Sequence, residues 1–586
     1  MKWSFFLFSL NMKLFISFYI LLVSNIFYSQ PDSSTTKIWN QFSFLDDSLN
    51  YTLFTGGPSS VVFNLHFDSS KLHPFVNGSL FTKEQPDLPF IYQKVPVLDF
   101  QYIIGDQQEQ NLAIYHNQPI SKSSFYSISF LKRSHDGYYL NQATNSNFFQ
   151  TNYYRNSKRE NYVINASLKH HRLYNEQNGG IQNDSNFTHS DFDILNRNLI
   201  PVNMIYGFSN DKLWRIKIQQ TIFKIDSNSK SKKLDFKTSF DSRFRNYYDS
   251  LNANLFLFNH FDTSSSNDTL IQQDFHQHIN YYLSNYKDSV LTKSLGIFYV
   301  ANRSTFTNHT YDTILSNHDI GLKYILSKPK FNFNTTASYT PFGFRKNNFN
   351  FHMGYNRTLS KKIKFLGSLN AKRITPNYVF HQYNSNHVIW NNRLNDMYYI
   401  GLNTALLFKN IKLKSNQFWI KNPMYFNRDL SPVSTLDTVQ IVQTSLEYMV
   451  QKKKMNFNIE LQHQYQGGLS IYQLPKWLAF GSFYYKFLHA KSDATLFLGV
   501  RVRSFSSFNL MEFSPQINQF LVSNEKEQES YFITDLMAKA EIKGVTIFAM
   551  IAHLNSGISG YRYFTSLHYP QPDRYFKFGL KWLFLD

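Results

Sequence analysis

Apolar and polar residues exchange places at every second position over long stretches of this chain. Met455, Phe457, Ile459 and Leu461 fall on one side, and Asn456, Asn458, Glu460 and Gln462 fall on the other. The same period returns at Phe349, Phe351, Met353 and Tyr355, and again at Ile363, Phe365, Leu369 and Ala371. It returns once more at Ala494, Leu496, Leu498, Val500 and Val502, where Phe497 alone breaks the polar side. Side chains of an extended strand point alternately to its two faces, so each run predicts a strand that is apolar on one face and polar on the other. Comparable segments recur along most of the chain, among them 162–173, 234–247, 398–408, 439–450 and 510–520.

Alternation alone also describes a soluble sandwich, and segment length separates the two. Several runs hold the pattern for about 9 to 12 residues, the span of a tilted membrane strand and longer than the ~5–6 residues usual in soluble sheets. Their polar faces are rich in Asn, Gln, Lys and Arg, which suits a wet interior. The stretches 184–197 and 262–274 have the Asn, Asp, Ser and Thr of surface loops, while Asn356–Ser360 predicts a tight turn. The fold class expected is all-β, a transmembrane antiparallel β-barrel of roughly 16–20 strands with long polar loops, a size that leaves an aqueous channel.

The two ends of the chain add to this. Phe576, Phe578, Leu580, Trp582 and Phe584 share one face of a last strand, and Lys577, Gly579 and Lys581 share the other. A final strand ending in aromatics reads as an insertion signal for barrel-assembly machinery, although Leu585 and Asp586 follow the last aromatic. At the start, Lys13, the apolar run Leu14–Val23 and Ser29 before Gln30 describe a signal peptide over residues 1–29. That apolar core is short of the ~20 residues a spanning helix needs. Translation could begin at Met1 or Met12. Residues 30–96 alternate poorly and contain Gly56-Gly57-Pro58, Pro86 and Pro89, so they are expected as an N-terminal extension, periplasmic or lumen-inserted. The barrel is expected over 97–586.

Composition narrows the chemistry. The chain has no cysteine, which removes disulfides, cysteine zinc sites and thiol nucleophiles and fits an oxidising compartment. Phe (58) and Tyr (39) far outnumber Trp (7), and large rings favour pleated surfaces. The formal charge is +20. In a chain with a leader and barrel strands this points to a cationic lumen or to rims that meet lipid phosphates, not to nucleic acid. Arg501, Arg503, Lys362, Lys364, Lys577 and Lys581 alternate with apolar residues and are the candidate lumen-lining cations, whereas Lys452–Lys454 read as a rim cluster.

At Asp136–Gln142, Asn175–Ile181 and Tyr569–Gly579 the chain resembles the putative porin family of Bacteroidota. The resemblance implies an outer-membrane barrel and brings no catalytic or ligand residues with it. No phosphate-binding glycine loop, nucleophile elbow or HExxH helix is present. His276 with His278, and His170 with His171, are the only metal candidates, and a metal needs three or four ligands. A TonB-dependent transporter would need a plug before its barrel, for which 30–96 is too short. The expected function is a porin-like channel for passive diffusion of small polar solutes, with a preference for anions and no cofactor. The alternative is a closed barrel that scaffolds surface or secretion proteins; a barrel enzyme comes last. The expected location is the bacterial outer membrane, and the expected partners are its lipid and lipopolysaccharide, the assembly machinery and small solutes or ions.

Overall fold

Period two along the chain becomes a single closed sheet. In a computed structural model, residues 80–81, 95–189, 194–225, 230–250, 261–287, 290–308, 311–488, 494–558 and 560–585 are described, and the expected signal peptide lies outside them. Twenty-two strands pair antiparallel around the barrel, from β1 (Val97–Gly105) to β22 (Tyr575–Leu585). The last strand returns to the first, with Leu585 opposite Val97 and Lys577 opposite Gly105. Closure pairs every strand edge, which is what lets strands cross a medium without water. No helix among the described residues is long and apolar enough to cross a membrane.

The all-β barrel is as expected, but its strand number exceeds the roughly 16 to 20 anticipated. Two wall strands lack a clean pattern. β4 (Thr144–Asn156) sets Asn145, Asn147, Thr151 and Arg155 on the same face as Phe149 and Tyr153, so neither face is uniformly apolar. In β1 the inward positions hold Val97 and Ile103 beside Asp99 and Gln101, which blurs the contrast. The expected strand 510–520, by contrast, is not in the wall. Pro515 interrupts it, and only the short strands Glu512–Ser514 and Gln519–Leu521 form, within a loop. Two boundaries also move. The turn expected at Asn356–Ser360 falls at Lys361–Lys362, and the polar stretch 262–274 is mostly strand, because it holds the start of β8 (Ser265–Lys287).

The barrel ends differ. Connections at one end are short, as at Ser121–Ser124, Lys328–Phe331, Phe408–Ile411 and Ile542–Val545. The other end has the loops 178–206, 375–396, 506–530 and 553–574. Val97 and Leu585 both lie at the turn end. Outward-facing Leu402, Leu446, Leu498, Leu536 and Ile547 form an exposed aliphatic band. Trp214, Tyr398, Trp477 and Phe532 edge it toward the loops, and Phe408, Phe487, Trp582 and Phe584 edge it toward the turns. An apolar band between two aromatic girdles is the surface that a bilayer covers.

On the inner face, aromatic rings lie flat over glycines of the neighbouring strand. Tyr484 stands opposite Gly499 and Phe548 opposite Gly579. A Cβ on either glycine would come within 2.2 Å of the ring. Glycine is the residue that permits so close an approach, and it keeps a bulky ring against the wall instead of in the lumen.

Candidate transport lumen

Parity along each strand decides what faces the interior. On the wall's first half the inward charges are consumed in pairs. Arg215 grips Asp241 through Nε at 2.8 Å and Nη2 at 2.6 Å. Arg243 bridges Asp241 at 3.2 Å and Asp274 at 2.6 Å, and Arg245 meets Asp211 at 3.1 Å. Out of bulk water such pairs are strong and directional, but each neutralises the field it would otherwise send into the lumen.

The six basic residues singled out from the sequence do not form one ring. Arg501 and Arg503 point inward from β19 (Ala494–Phe505) and are almost wholly buried. Both bind one carboxylate, Asp535, at 2.9 and 2.6 Å, and Asp535 also accepts the His553 backbone N–H at 3.0 Å. Lys577 is likewise inward and meets Glu109 at 2.6 Å. Lys581 faces inward beside Asp99, with which it interacts electrostatically. Lys364 is exposed on the inward face of β13 (Ile363–Ile374), near its turn end, and Lys362 sits in the turn itself. The aromatic set of β22 faces outward: Phe576, Phe578, Trp582 and Phe584 are exposed and Leu580 is half-buried.

Sequence reasoning missed Asp535 and Glu109. Alternation places both on inward faces, but Arg501 and Asp535 become neighbours only because β20 (Tyr531–Ile542) docks beside β19 after a long loop. The histidine candidates separate too. His170 stacks on outward-facing Trp214 at 4.1 Å, while His171 turns inward to Ser146 at 3.1 Å. Among the described residues no group of three or more His, Cys, Asp or Glu could hold a metal ion.

At the loop end the lumen is covered. Tyr139, Phe187, Ile200, Phe513, Phe520 and Phe564, from four different loops, belong to one buried apolar cluster. A second joins Val379, Phe380, Trp390, Phe426 and Leu521, and it includes Leu80 and Phe81 of the N-terminal extension. Asn518 donates to the Leu80 carbonyl at 3.3 Å. Polar ties lock the loops together. Arg197 binds Asp573 at 2.9 Å while its guanidinium contacts both the Phe187 and Tyr561 rings, 4.6 and 4.5 Å from their centroids. Asp184 receives Lys526 at 2.6 Å and His568 at 3.1 Å. Burial opposes ionisation of Asp184, but those two bonds outweigh it and hold the carboxyl below its usual range. The bond to Asp184 raises the His568 imidazole. Burial raises the Glu512 carboxyl in the same cap.

Toward the turn end, two cavities open in the wall among the described residues. One of about 400 Å³ is lined by Asn456, Asn458, Ser482, Tyr484, Phe497 and Lys539. The other, about 300 Å³, is lined by Asn334, His352, Ser368, Asn403, Lys414 and Asn416. Both linings mix amides, hydroxyls and ammonium groups with apolar side chains, Met449, Val450, Phe457 and Met537 in the first and Leu366 and Ala405 in the second, so each offers hydrogen bonds to a polar solute beside apolar contact.

A family model described as putative porin matches residues 24–586. No curated protein matches the chain. Among solved structures the barrel is similar to the siderophore receptor PirA from Acinetobacter baumannii, with TM-score 0.60 and 8% identity, covering 85% of this chain and 81% of that one. The ferric-catecholate import receptor Fiu from E. coli K12 gives TM-score 0.59 and 11% identity, over 84% of this chain and 82% of the other. A ferric enterobactin receptor from Pseudomonas aeruginosa gives TM-score 0.60 and 10% identity over the same shares. At these identities the likeness is one of fold.

Proposed function

The chain belongs to the putative porin family, an outer-membrane barrel protein by family and by fold, and from that premise we propose that it is a non-enzymatic channel for small polar solutes. The reading extends to an origin in Bacteroidota, on the sequence resemblance at Asp136–Gln142, Asn175–Ile181 and Tyr569–Gly579. The observation that supports transport best is the pair of cavities below the cap, whose linings carry amides, hydroxyls and lysine ammonium groups. A wall of 22 strands encloses a lumen too wide for side chains alone to fill, and these cavities offer hydrogen-bonding groups to a solute that enters it.

The packed loop cap favours a second reading, in which the barrel rests closed and opens on contact with a ligand. Three barrels of similar fold are named as receptors for iron carriers. Both readings are tested by reconstituting the purified protein into planar bilayers. Steady conductance that falls with solute size supports the passive channel. Silence that gives way to conductance when Phe187→Ala and Phe513→Ala loosen the cap supports the closed one. Silence in both would remove transport through the lumen.

A further inference from the structure

We infer that the larger cavity is a binding site for hydroxylated organic anions, of which sugar phosphates are the class that matches its lining best. This rests on the transport reading and names the solute class. Lys486, Phe497, Lys539 and Phe548 stand opposite one another on four successive strands, all on the inward face. The row alternates cation and ring across the wall. The Lys539 ammonium lies 4.4 Å from the centroid of Phe497, and that of Lys486 lies 5.5 Å from it. One ring therefore contacts two ammonium groups; Phe497 and Lys539 line the cavity itself, and Lys486 reaches the same ring from the neighbouring strand. An ammonium over an aromatic face keeps N–H donors for an anion, because the ring satisfies only part of its field. Lys539 also pairs with Glu541 at 2.6 Å. Three donors per ammonium leave room for a second acceptor.

The rest of the lining argues against a bare inorganic ion as the preferred occupant. Asn456, Asn458, Ser482 and Tyr484 border the same space, and their amides and hydroxyls are suited to hydroxyl groups that both donate and accept. At about 400 Å³ the space admits a monosaccharide with a charged group. A phosphate beside Phe497 would meet both lysines while the sugar ring reached the amides. Met449 and Met537 supply adaptable apolar contact on the remaining side.

The site is tested on the full-length protein folded in detergent micelles, by calorimetric titration with glucose 6-phosphate, glucose and inorganic phosphate. Glucose 6-phosphate should bind more tightly than either of the others. The pair Lys486→Gln and Lys539→Gln should weaken it on the order of tenfold or more, since each removes a charge-assisted hydrogen bond. Asn458→Ala should weaken it several-fold, and Lys452→Gln in an exposed turn should change nothing. Each variant is read only where the unheated sample keeps its folded gel mobility, and the single lysine variants serve if the pair fails to fold. Unchanged affinity in the lysine variants, inorganic phosphate binding as tightly as glucose 6-phosphate, or no binding by folded wild type would each overturn the site. Conductance on the same preparation separates the two ideas: binding without conductance keeps the site and removes the channel, and conductance without binding does the reverse.

Discussion

Asp535 shows how much one inward carboxylate can hold. It satisfies Arg501 and Arg503 together, in a setting where all three side chains are buried. Removing its charge as Asp535→Asn leaves two guanidinium groups facing one neutral amide, and breaking a buried pair in this way costs about 3–5 kcal/mol. The folded, heat-modifiable band should fall accordingly in a urea titration of the micelle-bound protein, while Asp437→Asn in an exposed loop segment should match wild type. Converting Arg501 and Arg503 to Glu would place three carboxylates together, so those positions report on folding and not on ion selectivity. The lipid face is equally specific. Leu498 is outward and exposed, so Leu498→Arg should cost about 2–4 kcal/mol near the midplane. Gly499 beside it faces the lumen, yet its substitution is not mild, because Tyr484 covers it. Gly499→Ala should impair assembly as measured by the unheated gel band, and Tyr484→Ala in the same chain should restore it.

At the scale of elements the cap is the least uniform part of the barrel, since its loops are joined by side chains where the wall is joined by a continuous backbone ladder. The tie between the loops 178–206, 506–530 and 553–574 is titratable. His568 is raised, so its contribution is complete below the ordinary imidazole pKa and is lost as pH rises through the folded value. Asp184 is lowered, so its contribution is complete above the ordinary carboxylate pKa and is lost as pH falls through its own folded value. The tie is therefore strongest in mildly acidic solution and weakens toward alkaline pH. Protection factors in these loops, taken relative to the intrinsic base-catalysed exchange rate at each pH, should fall between pH 5 and pH 8, roughly the range around an imidazole, and Asp184→Asn should flatten that dependence. An unchanged profile in the variant would show that other contacts hold the loops.

For the whole molecule, selectivity follows from the balance of charge that pairing leaves over. Arginines near the cap spend their charge on Asp211, Asp241, Asp274 and Asp535. Of the lysines on the inward face of β13, Lys364 lies near the turns and Lys372 near the cap, so the two flank the path a solute would take. Reversal potentials under a salt gradient should therefore favour anions, most clearly at low salt, and fade as the Debye length shrinks from ~30 Å at 0.01 M to ~3 Å at 1 M. Lys364→Glu with Lys372→Glu should move the reversal potential toward cations without loss of folded protein. A shift from these lysines and none from Lys452→Glu would locate the ion path on this wall.

The sequence by itself determined the barrel, its two faces and the outward aromatic set of the last strand, because a pleated strand converts a period of two directly into inside and outside. It did not determine the number of strands. Where both faces mix polar and aromatic residues, as in Thr144–Asn156, the period is silent and only backbone pairing identifies the strand. Nor could spacing show that Arg501 and Arg503 end on Asp535, since partners across a wall depend on which strands adjoin and in what register. The cap is the clearest case. Its clusters join residues as far apart as Leu80, Val379 and Ile517, and contacts between distant segments leave no local periodicity to read. Whether the basic residues of a lumen attract ions or merely neutralise neighbours is settled by such contacts, and so by the tertiary structure alone.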